Sequence, residues 1–366
     1  MLVIYNWIIW MMCYFIVRKS YTKKIYPLSY TLPSRKYRLF LLLITLYSLF
    51  TYFGGDIKND RELVEGGYQA AAYSDFFNVE QIYITFAKYA FGYLLLWKVY
   101  VYGLCIFITM WSLNRMDKRN SLTLLFYVLL FLPSMGATRG VLAYSVYLLA
   151  CYYIIMGGNT KIRIVGFILL FCTYFLHTSM SIPILLFFVS RLRINRIIAI
   201  SFIISIPLIS GTINNIIMPY LESNSDFMAS QMGFKYKQYV QNEDVEFQTS
   251  LPLRIYNFAT YIFLSLCLYF SVTASWKNKL TIYCERIVTI CFFLAYIGAV
   301  IALCDFQNNG VIARRFFTIS MFLIFIVIPE LINTKHLSWI KSKQLIDFGF
   351  FRVNWFFAMM LWNEIS

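Results

Sequence analysis

Apolar runs recur from residue 2 to about residue 362, each separated from the next by a short polar connection. A helix needs about twenty mainly apolar residues to cross the ~30 Å hydrocarbon layer of a bilayer. Read against that length, the pattern predicts spans near 2–17, 39–53, 93–112, 121–133, 141–156, 164–177, 179–190, 197–217, 255–273, 287–304 and 316–332. The 121–133 and 179–190 runs are too short for a straight crossing, so each is expected to be tilted, broken or re-entrant, and such helices usually line a cavity. A last amphiphilic stretch, 345–361, contains Arg352 and Asn354 and reads either as a further span or as an interfacial segment. The expected fold is all-α, a polytopic transmembrane bundle of roughly 10–12 spans forming one integral membrane domain over residues 1–366.

Composition removes the soluble alternatives. Of 366 residues, 60% are hydrophobic and 13% charged, against about 25% charged in a soluble domain. The first run has no small-residue cleavage site before Arg18, Lys19, Lys23 and Lys24, so it resembles a retained span. A net charge of +15 would point to nucleic acid in a soluble protein, but here the basic residues sit in short connections beside apolar runs. Topology explains them better, and no nucleic-acid partner is expected. The eight cysteines lie in or beside apolar runs without a CxxC pair, which reads as packing.

Lysines and arginines in short loops mark the cytoplasmic side. The 18–38 connection is basic without an acid, and alternation from there puts Arg115, Lys118, Arg119, Lys161, Arg163, Arg191, Arg193, Arg196, Lys277, Lys279, Lys335, Lys341 and Lys343 on that side too. Two longer connections, about 54–92 and 218–254, then lie outside, where function is likelier to reside than in the short turns. In the second, Phe227, Met228, Met232, Phe234, Tyr236 and Tyr239 alternate with polar residues, as in a segment lying over a cavity mouth or in a loop with scattered apolar residues.

No Walker loop, GxGxxG, HExxH or GxSxG is present, and nothing indicates a metal or cofactor. Ionisable groups near membrane depth become the candidates. Arg139, beside Gly136, Gly140 and Pro133 at the outer end of a span, suits an anion site or a snorkelling interfacial role. His177, in Phe175-Leu176-His177-Thr178-Ser179, lies where the two short central runs meet and suits acid–base work or structural hydrogen bonding. Arg314 and Arg315 open a span on the outer side, against the positive-inside bias, and call for an anionic ligand or for Asp305. The first outer loop holds Asp56, Asp60, Glu62, Tyr68, Glu80 and Tyr83, as a binding surface or a solvated face.

In that order, Asp56 with Tyr68, Glu80 with Tyr83, Arg139 with Ala143, Phe175 to Ser179, and Arg314-Arg315-Phe316-Phe317 running to Ile328-Pro329-Glu330-Leu331, the chain resembles the EpsG-like group of Wzy-type polysaccharide polymerases. The resemblance implies a multi-pass protein of the bacterial cytoplasmic (inner) membrane. It implies an inverting glycosyltransferase that joins undecaprenyl-diphosphate-linked repeat units into O-antigen, capsule or exopolysaccharide at the outer face, without a metal. His177 and Arg139 would be catalytic; Arg314, Arg315, Asp56, Tyr68, Glu80 and Tyr83 would bind substrate. The lipid bilayer and the lipid-linked glycan are the implied partners, and a chain-length regulator is left open. Two rivals remain at this stage: a membrane O-acyltransferase modifying surface glycans, which also needs an intramembrane histidine, and a lipid-linked oligosaccharide flippase.

Overall fold

The structure, a computed structural model, describes residues 2–21, 31–53, 94–116, 121–134, 138–225, 251–304 and 309–365. Every regular element among them is a helix. In chain order these are α1 (Leu2–Tyr21), α2 (Ser34–Phe53), α3 (Leu94–Arg115), α4 (Ser121–Phe126), α5 (Thr138–Met156), α6 (Thr160–Leu176), α7 (Ser181–Val189), α8 (Arg196–Thr212), α9 (Met218–Ser223), α10 (Leu251–Trp276), α11 (Ile282–Ala302), α12 (Asn309–Ile324), α13 (Val327–Asn333) and α14 (Trp339–Ile365). The protein is an all-α membrane bundle, with one apolar core cluster running from Val3 on α1 to Phe357 on α14.

Among the described residues, four helical stretches are long and apolar enough to cross a bilayer: Arg196–Ser223, Arg254–Trp276, Ile282–Ala302 and Ile340–Trp362. The pair α12 and α13 makes a fifth, bent by 46°. Leu2–Tyr21, Ser34–Phe53, Leu94–Arg115 and Thr138–Met156 are further apolar helices of 19–22 residues, in keeping with the polytopic bundle that the apolar pattern predicts. The 345–361 stretch, left open by its polar residues, belongs to a 27-residue helix. The 121–133 run is broken as expected: α4 passes into a π-helix at Tyr127–Phe131 and a 3-10 turn at Leu132–Ser134. It does not border an open space, since every residue from Ser121 to Pro133 is buried. Protein surrounds the irregular backbone, which is the other circumstance in which a membrane interior tolerates it.

The lipid-facing surface is plain on α8, where Ile197, Ile203, Ile204 and Leu208 are all more than half exposed. In water so continuous an apolar face would aggregate; in a bilayer it needs no cover. Pro207 interrupts this helix, followed by a π-turn at Ile213–Ile217.

The bundle has two ends. One collects the described basic connections. Arg18 pairs with Asp347 at 3.4 Å. Arg193 Nε pairs with Glu285 at 2.7 Å and its guanidinium also donates to the Ser275 carbonyl. Arg286 donates to Ser190 Oγ and to the Phe187 carbonyl, both at 3.0 Å. Glu330 accepts from the Thr281 amide, from Thr281 Oγ1 at 3.1 Å and from Cys284 Sγ at 2.9 Å. Asn159, Asn195 and Thr281 each accept an amide three residues on, and so start α6, α8 and α11 at this end. We call it the Glu330 end.

Helix contacts are close where glycine permits. A Cβ on Gly166 of α6 would lie 2.8 Å from Ile154 Cγ1 and 3.0 Å from the Ile154 amide nitrogen of α5. Small residues allow such approach where lipid supplies no hydrophobic drive between helices.

Candidate functional site

At the opposite end α6 stops at Leu176 and the chain turns through His177 and a 3-10 turn, Thr178–Met180, into α7. The stop is local. His177 adopts an extended conformation, and its amide still donates to Thr173 O, closing the last turn of α6. Helix α7 has only nine residues, so it rises roughly 13.5 Å at 1.5 Å per residue. Tyr147 Oη donates to the Pro183 carbonyl at 2.7 Å and fixes the depth of α7 against α5.

Within the turn, His177 Nδ1 lies 2.6 Å from Ser179 Oγ and accepts the Ser179 backbone N–H at 3.3 Å. A backbone N–H can only donate, so Nδ1 presents its lone pair inward. The neutral ring therefore carries its proton on Nε2. Ser179 in turn interacts with the hydroxyl of Tyr144 on α5, and the same hydroxyl feels the charge of Arg315 on α12. Tyr144 stacks obliquely on Phe322, ring centroids 4.8 Å apart, which holds its phenol between α5 and α12. Gly140 is buried under that phenol: a Cβ there would lie 3.0 Å from Tyr144 Oη. Any larger residue at position 140 would have to displace the tyrosine.

Arg139 lies in the first turn of α5, next to Gly140. His177, Ser179, Tyr144 and Arg315 thus gather from three separate parts of the chain, with the start of α5 beside them. Arg314 and Arg315 diverge, as consecutive residues on a helix must, by about 100°. The Tyr144 hydroxyl lies within electrostatic range of Arg315, and that of Tyr261 on α10, whose ring packs on Phe317 at 4.6 Å, within range of Arg314. Both arginines are exposed. Asp56, Tyr68, Glu80 and Tyr83 fall outside the described residues, as do Asp305 and residues 226–250 of the second long connection.

Sequence reading missed two contributors. Tyr144 carries no marker except its place five residues after Arg139. Arg352 entered only as a polar interruption of the last stretch, yet its side chain is fully buried in the bundle. Its Nη2 donates to Leu129 O at 2.6 Å, and Nη1 lies 3.3 Å from Thr260 Oγ1, 3.4 Å from Tyr256 Oη and 3.9 Å from Met321 Sδ. The sequence does contain a signal for this contact. Pro133 has no N–H, so in an α-helix Leu129 O would lose its i+4 donor, and the arginine occupies the freed carbonyl. Gly349, one turn earlier on α14, faces Leu129 Cδ1 and Phe263, where a Cβ would lie 3.4 and 3.1 Å from them. The missing side chain brings α14 close enough for Arg352 to reach across.

Among the described residues no three His, Cys, Asp or Glu side chains gather as metal ligands would. Comparison with protein-family models, with curated proteins and with solved structures finds no significant match.

Proposed function

We propose that the protein is a polysaccharide polymerase that transfers a growing glycan from undecaprenyl diphosphate onto the sugar terminus of an incoming lipid-linked repeat unit. The observation that carries this reading is the meeting of His177, Ser179, Tyr144 and Arg315 at the end of the bundle away from the paired basic connections. With the Glu330 end in the cytoplasm, this cluster faces outward. Its chemistry suits the reaction. As the acceptor hydroxyl oxygen bonds to the anomeric carbon, the bond from that carbon to the diphosphate breaks, negative charge develops on the leaving phosphate oxygen, and the hydroxyl proton passes to that oxygen or to water. Arginine stays charged at any relevant pH and presents a donor fork that matches phosphate oxygens.

On this reading Arg315 and Arg139 hold the diphosphate, and the free amides of the first turn of α5 add their dipole. His177 offers Nε2–H as a donor, which suits hydrogen bonding to the developing phosphate charge or to the acceptor sugar in preference to removing a proton from it. Ser179 fixes that tautomer and the ring's orientation, and Tyr144 ties the turn to Arg315. The lipid tail finds an apolar surround in the exposed faces of α6 and α8, and Arg314, Asp56, Tyr68, Glu80 and Tyr83 remain candidates for contacts to the glycan.

Deleting the gene in its own host tests the reading. Cells are expected to carry single lipid-linked repeat units at their surface in place of long chains. Long polymer that persists with altered acyl content would replace this reading with glycan O-acylation.

A further inference from the structure

A second cation lies deeper in the bundle. Arg352 is fully buried in α14, its Nε has no hydrogen-bond partner, and no carboxylate among the described residues pairs with it. Its guanidinium touches neutral groups only: the Leu129 carbonyl, two hydroxyls at 3.3 and 3.4 Å, and a thioether at 3.9 Å. The rings of Tyr256 and Phe263 lie 5.7 and 5.6 Å from the guanidinium carbon. A full positive charge at membrane depth is costly, and such residues usually serve a ligand or a pathway. The Leu129 bond explains why the side chain is fixed; it does not compensate the charge.

The polar flank of this site belongs to α10, where Tyr256 and Thr260 are half-buried one turn apart. Trp355 Nε1 donates to the Pro252 carbonyl at 3.0 Å and Tyr256 packs on Phe356 where α10 meets α14. Met321 lies six residues beyond Arg315 on α12, about 9 Å deeper at 1.5 Å per residue.

We propose that Arg352, with Thr260 and Tyr256, forms a buried phosphate-binding site, reached through the α10–α14 seam when the Tyr256 ring swings aside, and separate from the Arg315 cluster. The idle Nε–H and the weakly held Nη1 are the donors such an anion takes up, and the two hydroxyls complete its coordination. The ligand is a phosphate group, either free or carried by a lipid.

The test is equilibrium binding to the purified full-length protein in detergent, with inorganic pyrophosphate and farnesyl diphosphate as probes. It is run in an Arg139→Gln/Arg315→Gln background so that neither arginine assigned to the outer diphosphate contributes. Binding is expected, with at least about a tenfold loss of affinity in Arg352→Met and Arg352→Lys. Comparable affinity for both probes assigns a free phosphate, and preference for the prenylated probe assigns a lipid phosphate. If the Arg352 variants do not fold, the Tyr256→Phe/Thr260→Val double variant, which keeps the guanidinium, is expected to lose about threefold or more. Failure of both probes to bind, or unchanged affinity in the folded variants, overturns the proposal. Neither result bears on polymerisation, which the Arg139→Gln/Arg315→Gln background has already separated.

Discussion

The two ends of the bundle use charge differently. At the Glu330 end Arg193 and Arg286 have partners within the chain on neighbouring helices, and the carboxylates of Glu285 and Glu330 are likewise engaged. These contacts join the turn before α8 to α10 and α11, and α11 to α13. At the His177 end Arg314 and Arg315 are exposed, and the histidine is oriented by a serine two residues away. The first arrangement holds helices in place. The second holds reactive groups in place and leaves charge at the surface, where an anion can meet it. Similar residue types therefore carry different duties at the two ends of the bundle.

Substitutions should separate the ends, one losing activity and the other stability. The largest effect is expected from His177→Ala, which should lower chain extension by about 10²- to 10³-fold while the protein accumulates and unfolds as the wild type does. Polymer yield per mole of purified protein measures it. Glu330→Ala should leave the Thr281 amide and the Cys284 thiol without their acceptor and cost about 2–3 kcal/mol, seen as a lower unfolding temperature. A Glu330→Ala protein of wild-type stability that fails to polymerise would invert the comparison. Arg193→Ala comes next, at roughly 1 kcal/mol, because both members of its pair are partly exposed and solvent screens them.

The smallest effect concerns His336, in the turn between α13 and α14, whose Nε2 lies 3.1 Å from Thr273 Oγ1. Burial, and then Lys277, Lys341 and Lys279, hold its pKa below the ordinary 6.5. The unfolded chain binds this proton more readily, so the stability contribution is complete above about 6.5 and is lost as pH falls below it. Thermal unfolding followed from pH 7.5 to 5 should show a shallower acid decline in His336→Gln.

Much of the fold was legible because the membrane imposes one rule on long apolar runs. The breaks at 121–133 and 177–180 were legible from run length alone. The full length of α14 was not, since Arg352, Asn354 and Asp347 lower its apolarity and only tertiary packing shows what they meet. Asp347 meets Arg18 and Asn354 meets Trp7, both on the first helix, and no local pattern announces partners more than three hundred residues away. At the candidate site, His177, Arg139 and the arginine pair stood out because charge is rare at that depth. Tyr144 did not, being one of 29 tyrosines in the chain. The distinct duties of Arg314 and Arg315 also needed the helix phase to be set against two particular neighbours.

The most direct test of the central claim is a reconstituted reaction with the purified protein and undecaprenyl-diphosphate-linked repeat units, its products resolved by size. The account predicts a ladder of lengthening glycans from the wild type, with single units alone from His177→Ala and from Arg139→Lys at normal folding. Full ladders from both variants, or no ladder from folded wild type under conditions in which a known polymerase extends the same units, would contradict it.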